Sequence, residues 1–156
     1  LMAQKNPDNI EYRNQTLLGS LLGGLAFSNA SLGAVHAMAH SLGGFLDLPH
    51  GLCNAILLEP VIDFNFAACP DRYEVIGKKL KMDSAGSSGR EIKQNVLSAI
   101  RSLRESLGCT VTLSDMGVSK KDIPELAKKA KRDPCLATNP RKPTVEDIER
   151  MYEYAL

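Results

Sequence analysis

Apolar residues recur at helical spacing over most of this chain, and the first such run lies between Ile10 and Ser28. Residues that repeat at intervals of three and four are typical of a helix with one apolar face. In this run they are leucines, namely Leu17, Leu18, Leu21, Leu22 and Leu25. Three glycines interrupt the run, and inside a helix each one costs about 1 kcal/mol relative to alanine. We therefore predict an interior helix whose glycines allow another backbone to approach closely: Gly19, Gly23 and Gly24.

Six more helices are predicted from the same spacing and from residues that commonly start or stop helices. They span residues 32–46, 51–67, 70–80, 92–107, 123–131 and 144–156. Ser31 is predicted to cap the second helix, Pro60 to kink the third and Gly108 to end the fifth. Either Asp122 or Ser119 is predicted to cap the sixth helix.

No part of the chain alternates apolar and polar residues as a strand does, and no internal repeat is present. Residues 144–147 resemble a capping box that opens the last helix. The glycine-rich run at 84–89 lies between two predicted helices, so we interpret it as a flexible loop and not as a phosphate-binding turn between a strand and a helix. The prediction is an all-α helical bundle, with residues 1–156 forming a single domain.

Composition and charge exclude several classes of partner. The 19 Lys and Arg residues nearly balance the 18 Asp and Glu residues, so neither nucleic acid nor a membrane is expected as the main partner. Only 2 of the 19 basic residues lie in residues 1–70, which predicts an interior first half wrapped by a solvated second half. The four cysteines are widely spaced and no secretory signal opens the chain, which favours free thiols in a reducing, cytoplasmic setting.

All three histidines of the chain fall within residues 36–50. His36 and His40 are four residues apart, so a helix places both on one face, and His50 follows a Leu-Pro turn that returns the chain toward that face. Clustered imidazoles are typical of a divalent metal site, whereas a single histidine is more often a core residue. Spacing alone favours His36 and His40 as the ligand pair. Three imidazoles leave such a site short of ligands, so we expect a donor from outside this chain, and we interpret Asp47 as a solvated charge at a helix end.

The segment from Gly24 to Asn54 closely resembles the signature of the iron-containing (group III) alcohol dehydrogenases, G-x-x-H-x-x-A-H-x-x-G followed by P-H-G. The matching residues are Gly33, His36, Ala39, His40, Gly43, Pro49, His50 and Gly51. Residues 133–141 and the last helix also resemble the end of these enzymes. The resemblance implies the helical, metal-binding C-terminal domain of this dehydroquinate synthase-like fold.

By this resemblance His36 and His50 are metal ligands, while His40 lies beside the metal and the substrate as a catalytic residue for proton relay or orientation. This ligand set replaces the pair that spacing alone favours. The Asp and further His that complete the family's coordination sphere lie upstream, as does its nicotinamide-binding domain, and this chain contains no cofactor-binding glycine motif. We expect the chain to be a fragment that lacks this upstream domain.

The implied function is that of an NAD(P)-dependent dehydrogenase that uses Fe²⁺, with Zn²⁺ also allowed, to interconvert a small or primary alcohol and its aldehyde or ketone. The chain alone is expected to be inactive, and surfaces left uncovered allow a homo-oligomer. The alternative function is a stand-alone helical module with a structural zinc site. Four further residues are either cleft-lining or structural: Phe27, Asn29, Cys135 and Asn139.

Overall fold

The computed structural model describes residues 1–80 and 88–156. Within these ranges the chain forms helices and no strand, which confirms the predicted all-α class. The helices are α1 (Met2–Lys5), α2 (Ile10–Ala30), α3 (Ala34–Leu46), α4 (His50–Asn65), α5 (Pro70–Lys79), α6 (Gly89–Ser106), α7 (Ile123–Arg132) and α8 (Val145–Ala155), with 3-10 turns at Phe66–Ala68 and Pro134–Thr138. Residues 84–87 of the predicted glycine-rich loop lie outside the described residues.

The main core lies where α3, α4, α7 and α8 pack against one another. Its largest completely buried side chains include Tyr152, Met38, Leu42, Leu57, Leu126 and Ile148. The Tyr152 hydroxyl donates a hydrogen bond to the Met38 carbonyl oxygen at 2.8 Å. Burial raises the pKa of this phenol, so the hydroxyl keeps its proton and remains a donor. The contact ties α8 to α3, the helix that carries two of the three histidines.

Replacing Tyr152 by Phe is expected to lower the free energy of unfolding by about 1–2 kcal/mol, because the buried Met38 carbonyl loses its side-chain donor. Urea unfolding of the two proteins measures the difference. Tyr154→Phe is the matched control, because Tyr154 is 64% exposed and its hydroxyl only accepts a 3.4 Å contact from Arg101. Equal losses in the two variants would contradict a specific contribution of the Tyr152 hydrogen bond.

A second, smaller core joins the end of α4 to α5 and α6. Its buried members are Ile62, Phe66, Tyr73 and Val96. Beside it, the Glu59 side chain is buried in α4 and accepts hydrogen bonds from two arginines of α6, at 2.8 Å from Arg101 and 3.1 Å from Arg104. Apolar contacts and the two ion pairs of the buried Glu59 carboxylate therefore fix α6 against α4.

Helix α2 is present as predicted, but the prediction that it lies in the interior is wrong within the described residues. None of its residues is buried, and its five stripe leucines are 54–70% exposed. A Cβ atom added to any of its three glycines would find no atom within 4 Å, so no backbone approaches them here. Helix α2 and helix α3 diverge at 103°. The helix therefore projects from the bundle with its apolar stripe uncovered.

Most helix ends follow the predicted residues. Thr144 and Asp147 form the capping box of α8, with Thr144 Oγ1 and Asp147 Oδ2 accepting backbone N–H bonds at 3.1 and 2.9 Å. Gly108 ends α6 with φ +74°. The predicted cap at Ser31 is wrong: this residue has φ +60° and terminates α2, and α3 begins only after Gly33.

Helix α4 continues through Pro60 to Asn65, and the kink expected at this proline stays a prediction. One further prediction about a helix end is modified by the structure. Asp122 does precede α7, yet it makes no capping bond to that helix, because its carboxylate accepts the backbone N–H and hydroxyl of Ser119.

One stretch of the described residues, His50–Ala68, is long and apolar enough to cross a bilayer by length and composition, and α2 with α3 passes the same test as a bent pair. Half of the first stretch is buried inside the protein. Its apolar residues belong to the two cores described above, which is the usual arrangement of a central helix in a folded domain.

Candidate metal centre

The three imidazole rings lie close together, on α3 and at the start of α4. Helix α3 presents His36 and His40 from successive turns, with ring centroids 6.1 Å apart, as their spacing predicted. His50, in the first turn of α4, brings its ring to 5.4 Å from His36 and 5.3 Å from His40. The structure thus places all three predicted site residues in one cluster.

The turn between α3 and α4 makes this convergence possible. Asp47 ends α3 in the left-handed region, with φ +54°, and its backbone N–H donates to the Gly43 carbonyl at 3.0 Å. The chain then reverses through Leu48 and Pro49, so that α4 starts at His50. The Asp47 side chain is exposed, in agreement with its interpretation as a solvated charge at a helix end.

The start of α3 is capped from a distant part of the chain. Asn139 Oδ1 accepts the Ala34 backbone N–H at 3.0 Å, and the Asn139 amide also pairs with the buried Asn65 amide at 2.8 and 3.1 Å. A Cβ at Gly33 would lie only 3.0 Å from Asn139 Oδ1, so this close approach favours glycine. Asn139 therefore fills both of its predicted roles, because it holds the N-terminus of the histidine-bearing helix and also lines the cleft that borders His36.

His36 is the more enclosed of the two α3 histidines. Burial, then the neighbouring His50 and His40 rings, lower its pKa, which favours the neutral ring whose free lone pair a metal ion needs. A cleft of about 460 Å³ borders His36 and is otherwise lined mainly by apolar side chains of α3 and α4, together with Tyr73 and Asn139. His36 therefore lies between the histidine cluster and a space large enough to admit a small molecule.

His40 has a defined hydrogen-bond partner that sequence reasoning missed. Its Nδ1 lies 2.9 Å from Asp133 Oδ2, and Asp133 Oδ1 accepts the Cys135 backbone N–H at 2.8 Å. Burial opposes ionisation of Asp133, but the hydrogen bonds from Cys135 and His40 outweigh it and lower the pKa of this carboxyl. The two residues are 93 positions apart, so no local spacing in the sequence could indicate the pair.

Cys135 also lies near this pair, but it is not among the residues that line the 460 Å³ cleft. Its sulfur, the His40 ring nitrogen and an Asp133 oxygen lie within 4.8 Å of one another. Burial and the adjacent Asp133 raise the pKa of the Cys135 thiol, which favours the protonated form over the thiolate that binds metals. Both Asp133 oxygens already accept hydrogen bonds, so these three groups fit a hydrogen-bonded network better than a second metal site.

His50 contacts Asn54 one turn further along α4. The Asn54 Nδ2 donates to His50 Nε2 at 2.9 Å and to the His50 carbonyl at 3.1 Å. In this arrangement the Nε2 lone pair is engaged, so a metal ion that binds through His50 Nε2 displaces the Asn54 amide. The Asn54 Oδ1 is buried and has no hydrogen-bond partner among the described residues.

The centroid separation of His36 and His50 is compatible with a shared ion. A metal–nitrogen bond of about 2.0–2.1 Å places a tetrahedral ion's two imidazole centroids roughly 5 Å apart. The observed centroid separation is 5.4 Å. Imidazole donors also suit Fe²⁺ and Zn²⁺. Two histidines do not complete a coordination sphere, so the donor set leaves positions for other ligands.

Two further candidates lie on α2. The Asn29 amide donates to the Leu25 carbonyl at 2.7 Å, which is the predicted structural alternative, and the Phe27 side chain is 49% exposed. Neither residue borders the 460 Å³ cleft. Helix α2 therefore supplies no side chain to the cleft beside His36.

Residues 1–156 match the family model described as Fe-containing alcohol dehydrogenase family, C-terminal. The lactaldehyde reductase of Escherichia coli strain K12 is 41% identical over 138 residues, which cover 88% of this chain. The 1,3-propanediol dehydrogenase of Klebsiella pneumoniae is 37% identical over 147 residues, or 94% of this chain. Among solved structures, the alcohol dehydrogenase from Oenococcus oeni superposes with a TM-score of 0.95 over 99% of this chain, at 35% identity.

The chain spans well under half of each of these proteins. The matched region covers 36% of the lactaldehyde reductase, 38% of the propanediol dehydrogenase and 40% of the Oenococcus oeni enzyme. Each similarity therefore concerns one part of a longer protein, and it extends over the entire histidine cluster.

Proposed function

This chain belongs to the Fe-containing alcohol dehydrogenase family, as the resemblance of residues 24–54 predicted, and on that premise we propose that it is the metal-binding half of a dehydrogenase active site. The proposed reaction interconverts a small or primary alcohol and its aldehyde or ketone with NAD(P). The observation that carries the proposal is the convergence of three imidazole rings within 5.3–6.1 Å of one another. Names of relatives support this substrate class, because they include a lactaldehyde reductase and a propanediol dehydrogenase.

His36 and His50 are the proposed metal ligands. Their centroid separation suits one ion, and the lowered pKa of His36 keeps a lone pair available. When bound, Fe²⁺ or Zn²⁺ would polarise the alcohol or carbonyl oxygen as a Lewis acid, and the nicotinamide would carry the hydride. The site is proposed to need both residues, because the loss of either imidazole removes one protein ligand of the ion.

His40 is the proposed acid–base residue. It lies beside both proposed ligands, with its ring stacked on that of His50, yet its side chain remains 42% exposed. In alcohol oxidation its ring accepts the hydroxyl proton and passes it to solvent; in the reverse direction it returns the proton. The apolar walls of the cleft beside His36 limit the access of water to the reacting oxygen.

The remaining ligands and the NAD(P) site are proposed to come from a domain upstream of these residues. The uncovered leucine stripe of α2 supports this arrangement, because an apolar face of this length is a surface on which another part of a protein packs. The chain alone is therefore expected to bind metal weakly, and its uncovered surfaces favour self-association into a homo-oligomer. All four cysteines are free, which suits the reducing cytoplasm as the place of action.

A stand-alone module with structural zinc is the weaker alternative. Structural zinc sites are usually closed by four protein ligands. The cluster of His40, Asp133 and Cys135 supplies three, and the thiol among them favours its protonated form. The observations above therefore favour the catalytic role for His40.

A fusion experiment tests the proposal. The 156 residues are joined to the upstream part of the Escherichia coli lactaldehyde reductase, and reduction of lactaldehyde is followed with NADH and with NADPH. We expect metal-dependent turnover by this fusion and none by the 156 residues alone, because hydride transfer needs the nicotinamide site of the upstream part.

The control is the same fusion with His36→Ala, which is expected to be inactive because the proposed metal site has lost a ligand. Robust turnover by the isolated 156 residues would overturn the proposal. So would a stoichiometric zinc ion in the isolated chain whose removal by a chelator unfolds it, since that result identifies a structural module.

A further inference from the structure

We propose that Asp133 is a positioning residue that fixes the tautomer of His40, with the proton on Nδ1 and the lone pair on Nε2. The proposal rests on the proposed function, in which His40 transfers the substrate's hydroxyl proton. Its starting observation is the 2.9 Å contact between His40 Nδ1 and Asp133 Oδ2, which joins α3 to the segment that follows α7.

Contacts other than the one with His40 hold Asp133 in place. Its backbone N–H donates to the Ala130 carbonyl at 3.1 Å, and its side-chain Oδ1 accepts the Cys135 N–H at 2.8 Å as the cap of the 3-10 turn. Pro134 follows and restricts the backbone further. The Asp133 side chain is thereby held in one orientation, with its second oxygen, Oδ2, directed at His40.

The carboxylate leaves the histidine one choice of tautomer. An ionised carboxylate only accepts hydrogen bonds, and its hydrogen bonds hold the pKa of Asp133 below its usual range. His40 Nδ1 must therefore be the donor, which leaves Nε2 of the neutral ring without a proton. The orientation of the His40 ring plane is also restricted, because this ring stacks on that of His50 at a centroid distance of 5.3 Å and an interplanar angle of 17°. Nε2 is the ring nitrogen that remains for the substrate.

The proton balance of the step follows from this tautomer. In alcohol oxidation the substrate O–H bond breaks and an Nε2–H bond forms, so the ring becomes an imidazolium with its charge beside the Asp133 carboxylate. A bound nicotinamide would accept the hydride, and Nε2–H then loses its proton to solvent. With the opposite tautomer Nε2 already carries a proton and cannot accept the one from the substrate.

Asp133→Asn tests the assignment because asparagine cannot satisfy both neighbours in the same way. The Cys135 backbone N–H is a fixed donor, so the amide oxygen must face it and the NH₂ group must face His40 Nδ1. Nδ1 then becomes an acceptor and the proton moves to Nε2. We expect kcat to fall by about 10- to 100-fold, as for other partners that orient an active-site imidazole. KM and metal content are expected to remain unchanged.

The tautomer itself is read independently of turnover. Zn²⁺-loaded holoenzyme, meaning these residues together with their upstream domain, is labelled with ¹⁵N-histidine, and His40 is assigned by comparison with His40→Gln. At a pH where the ring is neutral, the nitrogen shifts should place the proton on Nδ1 in the parent protein and on Nε2 in Asp133→Asn. Asp122→Asn is the control, since its carboxylate accepts hydrogen bonds from Ser119 and contacts no histidine.

A proton on Nε2 of His40 in the parent protein would overturn the proposal, and this reading stands even where Asp133→Asn does not fold. Unchanged tautomer and kcat in a folded Asp133→Asn protein would overturn it as well. A third outcome separates the two proposals. If Asp133→Asn changes the tautomer of His40 as expected but the parent protein shows no turnover, the positioning role is supported and the proposed function is refuted.

Discussion

Replacing His36 by Ala in the metal-loaded holoenzyme is expected to remove the bound ion and to lower kcat/KM by about 10³-fold or more. A metal Lewis acid contributes several kcal/mol to the transition state, and each 1.4 kcal/mol or so corresponds to a factor of ten. Burial and the other two rings lower the pKa of His36, which favours the neutral form that a metal ion binds. Metal analysis of the purified variant and steady-state kinetics of aldehyde reduction measure the two effects.

His40→Gln is the paired variant, because it removes a ring of the same cluster that is not a proposed ligand. It should keep the metal and lose about 10²- to 10⁴-fold in kcat, the usual contribution of a positioned proton donor or acceptor. The reverse outcome, in which His40→Gln releases the ion and His36→Ala retains it, would exclude the proposed roles of these two residues.

The sequence could predict those features of the site that depend on residues close together in the chain. Four residues of separation place His36 and His40 on one face of α3 whatever else the chain does, and the Leu-Pro turn brings His50 back to them. Spacing could not, however, decide which two of three adjacent rings bind an ion. That assignment came from the resemblance, and it stays a prediction until ligands are tested.

The rest of the site depends on contacts between distant parts of the chain. Asp133 reaches His40 across 93 residues, and Asn139 caps α3 across 105 residues. Both lie in the segment after α7 that packs against α3. Short-range periodicity contains no information about such pairs, because they arise only once four helices have formed a common core. The resemblance of residues 133–141 indicated the segment but not its hydrogen bonds.

The incorrect prediction for α2 has a related cause. An apolar stripe indicates that a helix face packs against something, but not where the covering residues come from. Among the described residues nothing covers the α2 leucines, and its three glycines meet no neighbour. Burial is a property of the assembled fold, so periodicity identified the helix correctly and its surroundings incorrectly.

The largest expected effect on stability concerns the ion pairs of Glu59. Replacing both Arg101 and Arg104 by Met is expected to lower the free energy of unfolding by about 3–5 kcal/mol, because a buried carboxylate is left without a partner. The Glu59 side chain is only 5% exposed, whereas Arg101 is 52% exposed and Arg104 20%. The loss of stability therefore arises mainly from the Glu59 charge that is left buried without a partner, and less from the loss of either arginine. Urea unfolding measures it.

Two further variants separate this charge effect from lost packing. Adding Glu59→Met to the double variant removes the stranded charge and should restore most of the stability, because an apolar triad of similar volume often replaces a buried ion pair at little cost. Lys93→Met breaks another ion pair between α6 and α4, with Asp63, which is 55% exposed, and should cost less than about 1 kcal/mol. If the triple variant is as unstable as the double variant, the loss of stability comes from the packing of the arginine side chains between the two helices. That result would contradict the explanation based on the buried Glu59 charge.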